Sequence, residues 1–462
     1  MTQVSTLSKL AVVTAGVLGI ATACGSTSNT TSPSASSSSS SGKIGGSVTV
    51  WAEWTAQEQQ DFLAALVPFK TETGITVNYS GKGSNMDTAL NSAVSGGSPP
   101  DVAFVPDPGT LDTLAKAGKV KDLTSLLGNL TQNFGSAWNT LASYSGKQYG
   151  VWFKGANKNT IWYNPALFTE AGISTPPTTW EQLLTDAGQL KAAGVTPFSL
   201  CTDVGWPVAD FWQNVYLKTA GADDYNKLAA HTLKWTDPTV TTAFTTLGQL
   251  FSNTSYLAGG LNGSLANSYP LCVDKVFPKP GSQPQAAMVF EGDFVVSEIT
   301  GNSSNYAAGT TGTGGAACST DASKTPCYDF FPFPAPSADS ANQNAVQGAG
   351  DVGMMLNDTP QAQALIKYIA GPEPGSIWAN AGGFASPNNK VTADSYPDPV
   401  SKADAAALVG ATSFVFSLDD LQGSWEPMLW ADLLNFLKNP SSSNIATIEA
   451  TMDQQATTAL GH

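Results

Sequence analysis

Carboxylates are the residues of this chain best placed to do chemistry, because histidine is scarce. The 462 residues include two histidines, His231 and His462, so neither a two-histidine zinc site nor a Ser-His-Asp triad is well supplied. Glycoside cleavage needs two carboxylates that face one bond, and Glu291 with Asp203 could provide them. The same carboxylates can instead accept hydrogen bonds from a bound molecule. These two kinds of site remain rivals at this point.

A glycine pattern over residues 348–353 reads G-x-G-x-x-G, with Glu373 about 20 residues further on. A dinucleotide-binding loop of this form must open a helix at once. Here residues 354–356 instead continue as a strand until a helix cap at 358–360, and Glu373 lies between two prolines in a predicted turn. The sequence therefore predicts no nucleotide cofactor, and no cofactor of another kind.

The N-terminal stretch is typical of a secretion signal over residues 1–23. Lys9 precedes an apolar run over 10–20, which is shorter than the roughly 20 residues that span a membrane. Cys24 follows small residues and resembles the bacterial lipobox cysteine that receives a diacylglyceryl group, although Ala21 stands where Leu is usual. Serines at 36–41 predict a flexible linker over 24–43. We expect lipidation at Cys24, with ordinary signal cleavage nearby as the alternative.

The charge of the chain bears on its binding partners, and its cysteine content bears on the compartment in which it folds. Charged residues make up 12% of the chain and the net charge is −15, which disfavours nucleic acid as a partner. With Cys24 assigned to lipid, four cysteines remain for two disulfides in an oxidising exterior. Cys318 and Cys327 enclose a short loop and form the favoured pair, which leaves Cys201 with Cys272.

The first elements predict a parallel α/β sheet. Residues 47–51 alternate as a strand, and a capping box over 55–58 should start a helix whose apolar face carries Phe62, Leu66 and Phe69. Gly74 should end that helix. Strands over 75–79 and 101–105 complete the unit.

A second α/β unit is predicted to begin near residue 159. A strand over 161–163 precedes a helix that opens at 178–182. The Gly-, Ser- and Thr-rich segment 301–320 should be a surface excursion and not a strand. The aromatic- and proline-rich run 330–336 suits an extended crossover between two lobes.

The order and spacing of several blocks make the chain similar to the family 1 extracellular solute-binding proteins, the carbohydrate-binding components of ABC importers. The blocks are residues 99–102, 149–151, 162–168, 171–172, 179–181, 287–294, 364–369 and 382–384. The closest similarity is to the α-glucoside-binding branch. That similarity rests on residues 205–207 with Asp210 and Trp212, and on 219–221, 348–352, 357–360 and 383–388.

The resemblance implies a periplasmic-binding-protein-like α/β fold with two discontinuous lobes joined by a hinge, and a ligand cleft between them. The first lobe would comprise residues 44–153 and 335–386, and the second residues 154–334 and 387–462. Closure of the lobes over a ligand is the expected motion. The resemblance also implies a monomeric, non-enzymatic receptor that is lipid-anchored on the outer face of the membrane and passes a small sugar to ABC permease subunits.

A sugar receptor needs carboxylates for the hydroxyls of its ligand and flat aromatic rings for the C–H faces. The candidates follow predicted strands, at the edges that should face the cleft. They are Glu53, Trp54, Asp107 and Asp351 in the first lobe, and Asp203, Trp206, Glu291, Asp293 and Phe294 in the second. Trp54 could instead be core, Asp107 a turn former, and Phe294 stands where Trp is commoner in the family. Trp206, flanked by Gly205 and Pro207, is the predicted stacking residue, and Asp203 the predicted hydroxyl acceptor.

Overall fold

The computed structural model describes residues 43–303, 306–309, 327–409, 411 and 413–460. The predicted signal peptide, most of the predicted linker with Cys24, and Cys318 lie outside these residues, so the predictions for them stay predictions. Within the described part of the chain, no helix combines the length and the apolarity needed to cross a bilayer.

Two sheets organise the fold, one in each lobe. The strands are β1 Ser47–Ala52, β2 Thr76–Gly81, β3 Val102–Val105, β4 Ser143–Tyr144, β5 Lys147–Gln148, β6 Gly150–Asn157, β7 Thr160–Tyr163, β8 Phe198–Ser199, β9 Met288–Phe290, β10 Ala307–Ala308, β11 Cys327–Pro332, β12 Ala345–Met355 and β13 Ser413–Phe416. The first sheet has the order β13-β12-β3-β1-β2, with β6 also paired to β12. The second has the order β10-β11-β7-β9-β8, and β4 with β5 forms a small hairpin.

Helices cover both sheets and supply most of the remaining structure. They are α1 Ala56–Ala65, α2 Val67–Thr73, α3 Met86–Ser95, α4 Pro108–Lys116, α5 Thr124–Leu127, α6 Ser136–Leu141, α7 Pro165–Glu170, α8 Trp180–Ala192, α9 Trp206–Ala220, α10 Ala222–Ala229, α11 Pro238–Phe251, α12 Gly260–Leu265, α13 Leu271–Asp274, α14 Val295–Asn302, α15 Pro360–Ile369, α16 Pro372–Ala381, α17 Pro399–Val409, α18 Glu426–Lys438 and α19 Ser442–Leu460. The alternation of helices and strands confirms the predicted α/β class.

The first predicted α/β unit is present, because β1 pairs in parallel with both β2 and β3. Phe62, Leu66 and Phe69 are all buried, but they belong to two helices. The break falls at Leu66, because Pro68 in the first turn of α2 lacks the N–H that would continue α1. Gly74 ends α2 with a positive φ of 70°, as predicted.

The capping box predicted for α1 is wrong, although the helix begins where expected. Thr55 is the N-cap residue, but its side chain accepts no capping hydrogen bond. Glu58 does not reach back to it, because its carboxylate pairs with the buried ammonium of Lys154. Leaving the Lys154 ammonium buried and unpaired would cost more free energy than leaving the N-terminus of α1 uncapped. Glu58 therefore pairs with Lys154.

The second unit also forms as predicted, with Thr179 accepting a hydrogen bond from the Gln182 N–H at the start of α8. The run 330–336 begins as extended strand in β11, where Phe330 pairs with Trp162 of β7, and the chain then passes from this second sheet to β12 of the first, which agrees with the predicted crossover. The neighbouring prediction that segment 301–320 forms no strand is wrong in part. In the segment 301–320, residues 307–308 form the short strand β10, and residues 310–326 lie outside the described residues.

The glycine pattern at 348–353 lies within the buried strand β12, in agreement with the predicted strand. Glu373 lies in the first turn of α16 and not in a turn between elements. The flanking prolines explain this placement, since proline is favoured at the start of a helix.

Strands β6 and β12 pair antiparallel and form the hinge region. Strand β6 belongs to the first sheet and continues through residues 158–159 into β7 of the second. Helices α18 and α19 pack on α9 and α11 of the second lobe, whereas α17, assigned by sequence to the second lobe, packs on β6 and β12. The exact lobe boundaries remain a proposal.

Candidate functional site

A cavity of about 220 Å³ lies between elements of the two lobes. Residues from the ends of β1 and β3, from α1, α3, β6 and β12, and from α9, α14 and α18 or the segments next to them form its wall. They are Glu53, Thr55, Glu58, Gly83, Ser84, Met86, Asp87, Pro106, Lys154, Ala156, Lys158, Trp206, Tyr269, Phe294, Ala349, Gly350, Asp351, Asp420, Glu426 and Trp430. The wall therefore combines aromatic rings with many charged groups.

Aromatic rings from the second lobe form an apolar part of this wall. Trp206 opens α9, and its ring centroid lies 6.0 Å from that of Tyr269 and 6.1 Å from that of Phe294. Gly205 before it has φ 99°, and a Cβ there would approach Trp430 Cβ to 2.8 Å. Glycine thus allows the chain to turn tightly and present the half-buried indole of Trp206 to the cavity.

Carboxylates of the first lobe lie around the ammonium group of Lys154. In the strand register it lies opposite Asp351, and it pairs with Glu58 of α1. Burial opposes the charge of Lys154, but Glu58 and Asp351 hold its pKa above the ordinary value. Burial, with repulsion from Asp351 and Glu58, raises the pKa of Glu53 well above the usual range.

The Asp351 carboxylate lies between Trp54 and the carboxyl group of Glu53. Its Oδ2 accepts a hydrogen bond of 3.1 Å from Trp54 Nε1. The side chain lines the cavity and is 4% exposed. The Glu53 carboxyl is in hydrogen-bond contact with Asp351, and its raised pKa allows it to donate a proton to this carboxylate.

Lys158 pairs in the same way with carboxylates of the second lobe. Its Nζ lies 3.0 Å from Asp210 Oδ2 and 3.7 Å from Asp420 Oδ2. Burial raises the pKa of Asp210 to about 7 despite this pairing. Because Lys158 follows β6 directly, both buried ammonium groups of the cavity belong to the segment that joins the lobes.

One group of carboxylates near Lys158 could be considered for a metal ion. Ligand atoms of Asp419, Asp420 and Glu426 lie within 4.8 Å of one another. However, Asp419 already accepts hydrogen bonds from Gln213 and Trp430. The two remaining carboxylates fall short of the six to eight oxygens that calcium prefers.

Four of the predicted site residues line the cavity: Glu53, Trp206, Phe294 and Asp351. Trp54 does not, because its ring packs in the core 4.7 Å from Phe62 and 5.0 Å from Trp378.

Asp107 is buried and serves as the N-cap of α4, and Asp203 is exposed. The Asp107 carboxylate accepts from Gly109 N at 2.6 Å and from Thr110 Oγ1 at 2.9 Å. These bonds satisfy the helix terminus, so the turn-former interpretation fits Asp107 better than a ligand contact. Asp203 is not part of the cavity wall.

Glu291 and Asp293 are buried behind the wall and not in it. Glu291 Oε1 lies 3.9 Å from Cys272 Sγ, and its pKa is raised well above the usual range by burial. Burial likewise raises the pKa of Asp293 to about 6, although Lys154 lowers it. Since Glu291 is enclosed and Asp203 is exposed, they do not flank a common cavity, which removes the basis for the predicted glycosidase pair.

The sequence reasoning missed several residues of the wall, above all Lys154 and Lys158. A signal was present in the sequence: Lys154 directly follows the apolar run Val151–Phe153, and Lys158 comes four residues later. Lysine is rarely buried without a partner, so this pattern could have pointed to nearby carboxylates. Tyr269 and Trp430 carried no comparable signal, because they lie on separate irregular and helical segments.

The cysteines of the second lobe lie near the same wall. Cys201 and Cys272 have Cα atoms 5.3 Å apart and are joined through their sulfurs, a separation typical of disulfides. The oxidation state of all four cysteines remains a prediction.

Comparisons with known proteins agree with this arrangement. The family model described as bacterial extracellular solute-binding protein matches residues 51–375. The osmoprotective compounds-binding protein GgtB of Synechocystis sp. is 27% identical over 411 residues, covering 87% of this chain and 91% of the relative. The alpha-glucosides-binding periplasmic protein AglE of Rhizobium meliloti is 26% identical, covering 87% of this chain and 86% of its own.

Solved structures show the same fold. The bacterial solute receptor AcbH, described with a preference for β-D-galactopyranose, superposes with a TM-score of 0.75 at 20% identity over 89% of this chain and 99% of its own. A chitin oligosaccharide binding protein superposes with a TM-score of 0.71 at 22% identity, over 89% and 98% of the two chains. The family consists of solute-binding proteins and not of enzymes. With its two α/β lobes and the cavity between them, this chain belongs to the bacterial extracellular solute-binding protein family.

Proposed function

We propose that this protein captures an α-glucoside or related small oligosaccharide in the cavity between its lobes and delivers it to the permease subunits of an ABC importer. The observation that carries the proposal is the pairing of an aromatic wall, formed by Trp206, Tyr269 and Phe294, with the carboxylates of Glu53 and Asp351 in one cavity.

A sugar ring suits such a wall for two physical reasons. Its apolar C–H faces can stack on aromatic rings, and its hydroxyls can donate to carboxylates. Glu53 and Asp351 both line the cavity and can form hydrogen bonds with ligand hydroxyls. Leaving a buried polar group unpaired costs about 1–3 kcal/mol, so a ligand whose hydroxyls match these carboxyl groups is preferred.

The names of the relatives support a carbohydrate ligand, since they include a binding protein for alpha-glucosides and one for chitin oligosaccharides. The choice of an α-glucoside rests on the similarity to the α-glucoside branch and on AglE.

A calorimetric titration with maltose, trehalose and sucrose, followed by chromatography of the recovered sugar, tests the proposal. We expect at least one of them to bind and to be recovered intact. A ligand at 100 times its Kd should stabilise the fold by about 2.7 kcal/mol, so a thermal-shift screen can extend the panel. Cleavage of the sugar, or failure of every sugar to bind, would contradict the proposal.

Lipid anchoring at Cys24 on the outer face of the cell membrane completes the proposed function. Changing Cys24→Ser should move the protein from the membrane fraction to the soluble fraction without changing its sugar affinity. Transport itself is tested by deleting the gene, after which growth on the bound sugar should be lost. Unimpaired growth would favour a surface adhesin that binds glycans without transporting them.

A further inference from the structure

Two of the aromatic rings in the cavity wall belong to segments that lie outside helices and strands or directly follow them. Trp206 comes directly after the irregular residues 200–205, and Tyr269 lies in the irregular residues 266–270 between α12 and α13. The two rings are far apart in the chain, yet their centroids are 6.0 Å apart. Irregular segments lack the backbone ladder of a sheet, so other contacts must hold the rings at this distance.

The fold holds these two segments with different firmness. Residues 200–205 connect β8, which pairs with β9, to α9, a helix of 15 residues that packs on α11. Residues 266–270 connect α12, of six residues, to α13, of four. Helices this short gain little stability of their own. The segment that carries Tyr269 is therefore the one that needs an added attachment.

The bond between Cys201 and Cys272 supplies this attachment. Cys201 lies in the segment that leads to Trp206, and Cys272 lies in α13, shortly after Tyr269. The bond joins positions separated by 71 residues in the chain. It therefore ties the weakly held segment to the firmly held one, close to both rings.

Hydrogen bonds connect the same two segments next to the disulfide. The Thr202 N–H donates to Asn267 O at 2.9 Å. The Thr202 hydroxyl donates to Ser264 O at 2.5 Å, and Asn267 Nδ2 donates to Leu200 O at 2.9 Å. All four residues are buried. We call the disulfide and these three hydrogen bonds the clamp.

Both cysteines of the clamp are closed to solvent. Cys201 is 1% exposed and Cys272 is 0% exposed, and they lie in an apolar cluster that includes Trp162 and Val289. A thiol must reach a disulfide sulfur in order to reduce it, and burial prevents this approach in the folded protein. The clamp is therefore a permanent part of the wall and not a redox switch.

We propose that Cys201 and Cys272 are positioning residues for sugar binding, because their disulfide holds Tyr269 beside Trp206 before the ligand arrives. This inference rests on the proposed function, which places the sugar in this cavity. A ligand that meets an ordered wall loses no binding free energy to ordering it. Without the disulfide, each sugar that binds must also order the Tyr269 segment.

The first test is a calorimetric titration of the variant Cys201→Ala/Cys272→Ala, well below its melting temperature. The probe is whichever of maltose, trehalose and sucrose binds the unaltered protein best. We expect the affinity to fall about tenfold, equivalent to about 1.4 kcal/mol. The matched control is Leu190→Ala, which opens the core of the same lobe on α8, away from the wall. It should lower the melting temperature and leave the affinity unchanged.

A double-mutant cycle separates positioning from general loosening of the lobe. The disulfide is removed a second time in a Tyr269→Ala background, where the ring that it positions is gone. There its removal should change the affinity by less than about twofold. An equal loss of affinity in both backgrounds would overturn the inference, because it would show that the disulfide does not act through Tyr269.

Hydrogen exchange on the unaltered protein provides a measurement that needs no variant to fold. The amide N–H groups of Thr202 and Cys272 both donate to backbone carbonyls at the clamp. Their exchange should be equally slow with and without sugar, because the clamp is formed in advance. Protection that appears only with sugar would overturn the inference.

The remaining outcomes distinguish the inference from the proposed function. Unchanged affinity in Cys201→Ala/Cys272→Ala, or free thiols at both positions in the fresh protein, would reject the inference and leave the proposed function intact. Failure of every sugar to bind the unaltered protein would reject both.

Discussion

Lys154 of β6 and Asp351 of β12 face each other in the antiparallel register that joins the two lobes, directly beside an irregularity in the strand pairing. The Lys154 ammonium also pairs with Glu58 of α1. One cation thus ties the hinge strands to the first helix, and both of its carboxylate partners line the cavity.

Removing this cation should be costly. We expect Lys154→Met to lower the free energy of unfolding by about 3–5 kcal/mol, because Glu58 is left as a buried, unpaired carboxylate. Urea denaturation measures the loss. Lys147→Met is the control: Lys147 pairs with Asp122, its side chain is 58% exposed, and its loss should change the stability far less, because solvent screens an exposed ion pair. Equal costs would contradict the assigned role of Lys154.

Two tryptophans should respond in opposite ways to truncation. Trp206→Ala should weaken sugar binding by about one to two decades, since burial of an aromatic ring is worth roughly 1.5–3 kcal/mol, with little change in stability without ligand. Trp54→Ala should cost about 3–5 kcal/mol of stability, because its ring is packed in the core. Calorimetric affinity and the melting temperature without sugar separate the two effects. A large destabilisation by Trp206→Ala would reject its assignment to the site.

Two aspartates provide a similar comparison for hydroxyl recognition. Asp351→Asn should weaken sugar binding about tenfold, because it removes a carboxylate acceptor from the cavity wall. Asp203→Asn should leave the affinity unchanged, since Asp203 is exposed and outside the wall. Titration of both variants with the best-binding sugar checks the pair. If Asp203→Asn had the larger effect, the sequence-based prediction would be right and the position of the site would need revision.

The four cysteines of the mature domain should be oxidised. Alkylation without reduction, followed by mass spectrometry, should leave Cys201, Cys272, Cys318 and Cys327 unlabelled, and proteolysis should recover a peptide that links Cys201 to Cys272. The physical reason is the exposure of free thiols to oxidants outside the cell. Labelled thiols in the fresh protein would contradict this prediction.

The fold was predictable because its signals are local and repeated. Alternating apolar residues, Gly74 as a helix stop and Thr179 as a helix cap each act through neighbouring residues, and the family pattern supplied the order of the elements. The site was only half predictable. Trp54 and Trp206 both follow the end of a strand, yet one ring is enclosed by aromatic residues from distant parts of the chain and the other is turned outward by Gly205. No local pattern distinguishes the two.

Predictions also failed where tertiary pairing decided the outcome. Glu58 has the spacing of a capping residue, but it pairs with a lysine 96 positions away. The lysine is distant in sequence and therefore absent from any local window.

The irregularity in the β6–β12 pairing lies where the chain passes between the two lobes and directly next to a residue of the cavity wall. The register passes from Lys154 opposite Asp351 to Trp152 opposite Val352 and leaves Phe153 without a partner strand residue, while the Phe153 ring is fixed among Trp54, Trp378 and Phe384. The next residue, Lys154, pairs with Glu58 and lies opposite Asp351, and all three line the cavity. A bound ligand therefore contacts charges that are fixed to the strands joining the two sheets, and it can favour one lobe arrangement only by as much as it prefers the arrangement of these charges found there.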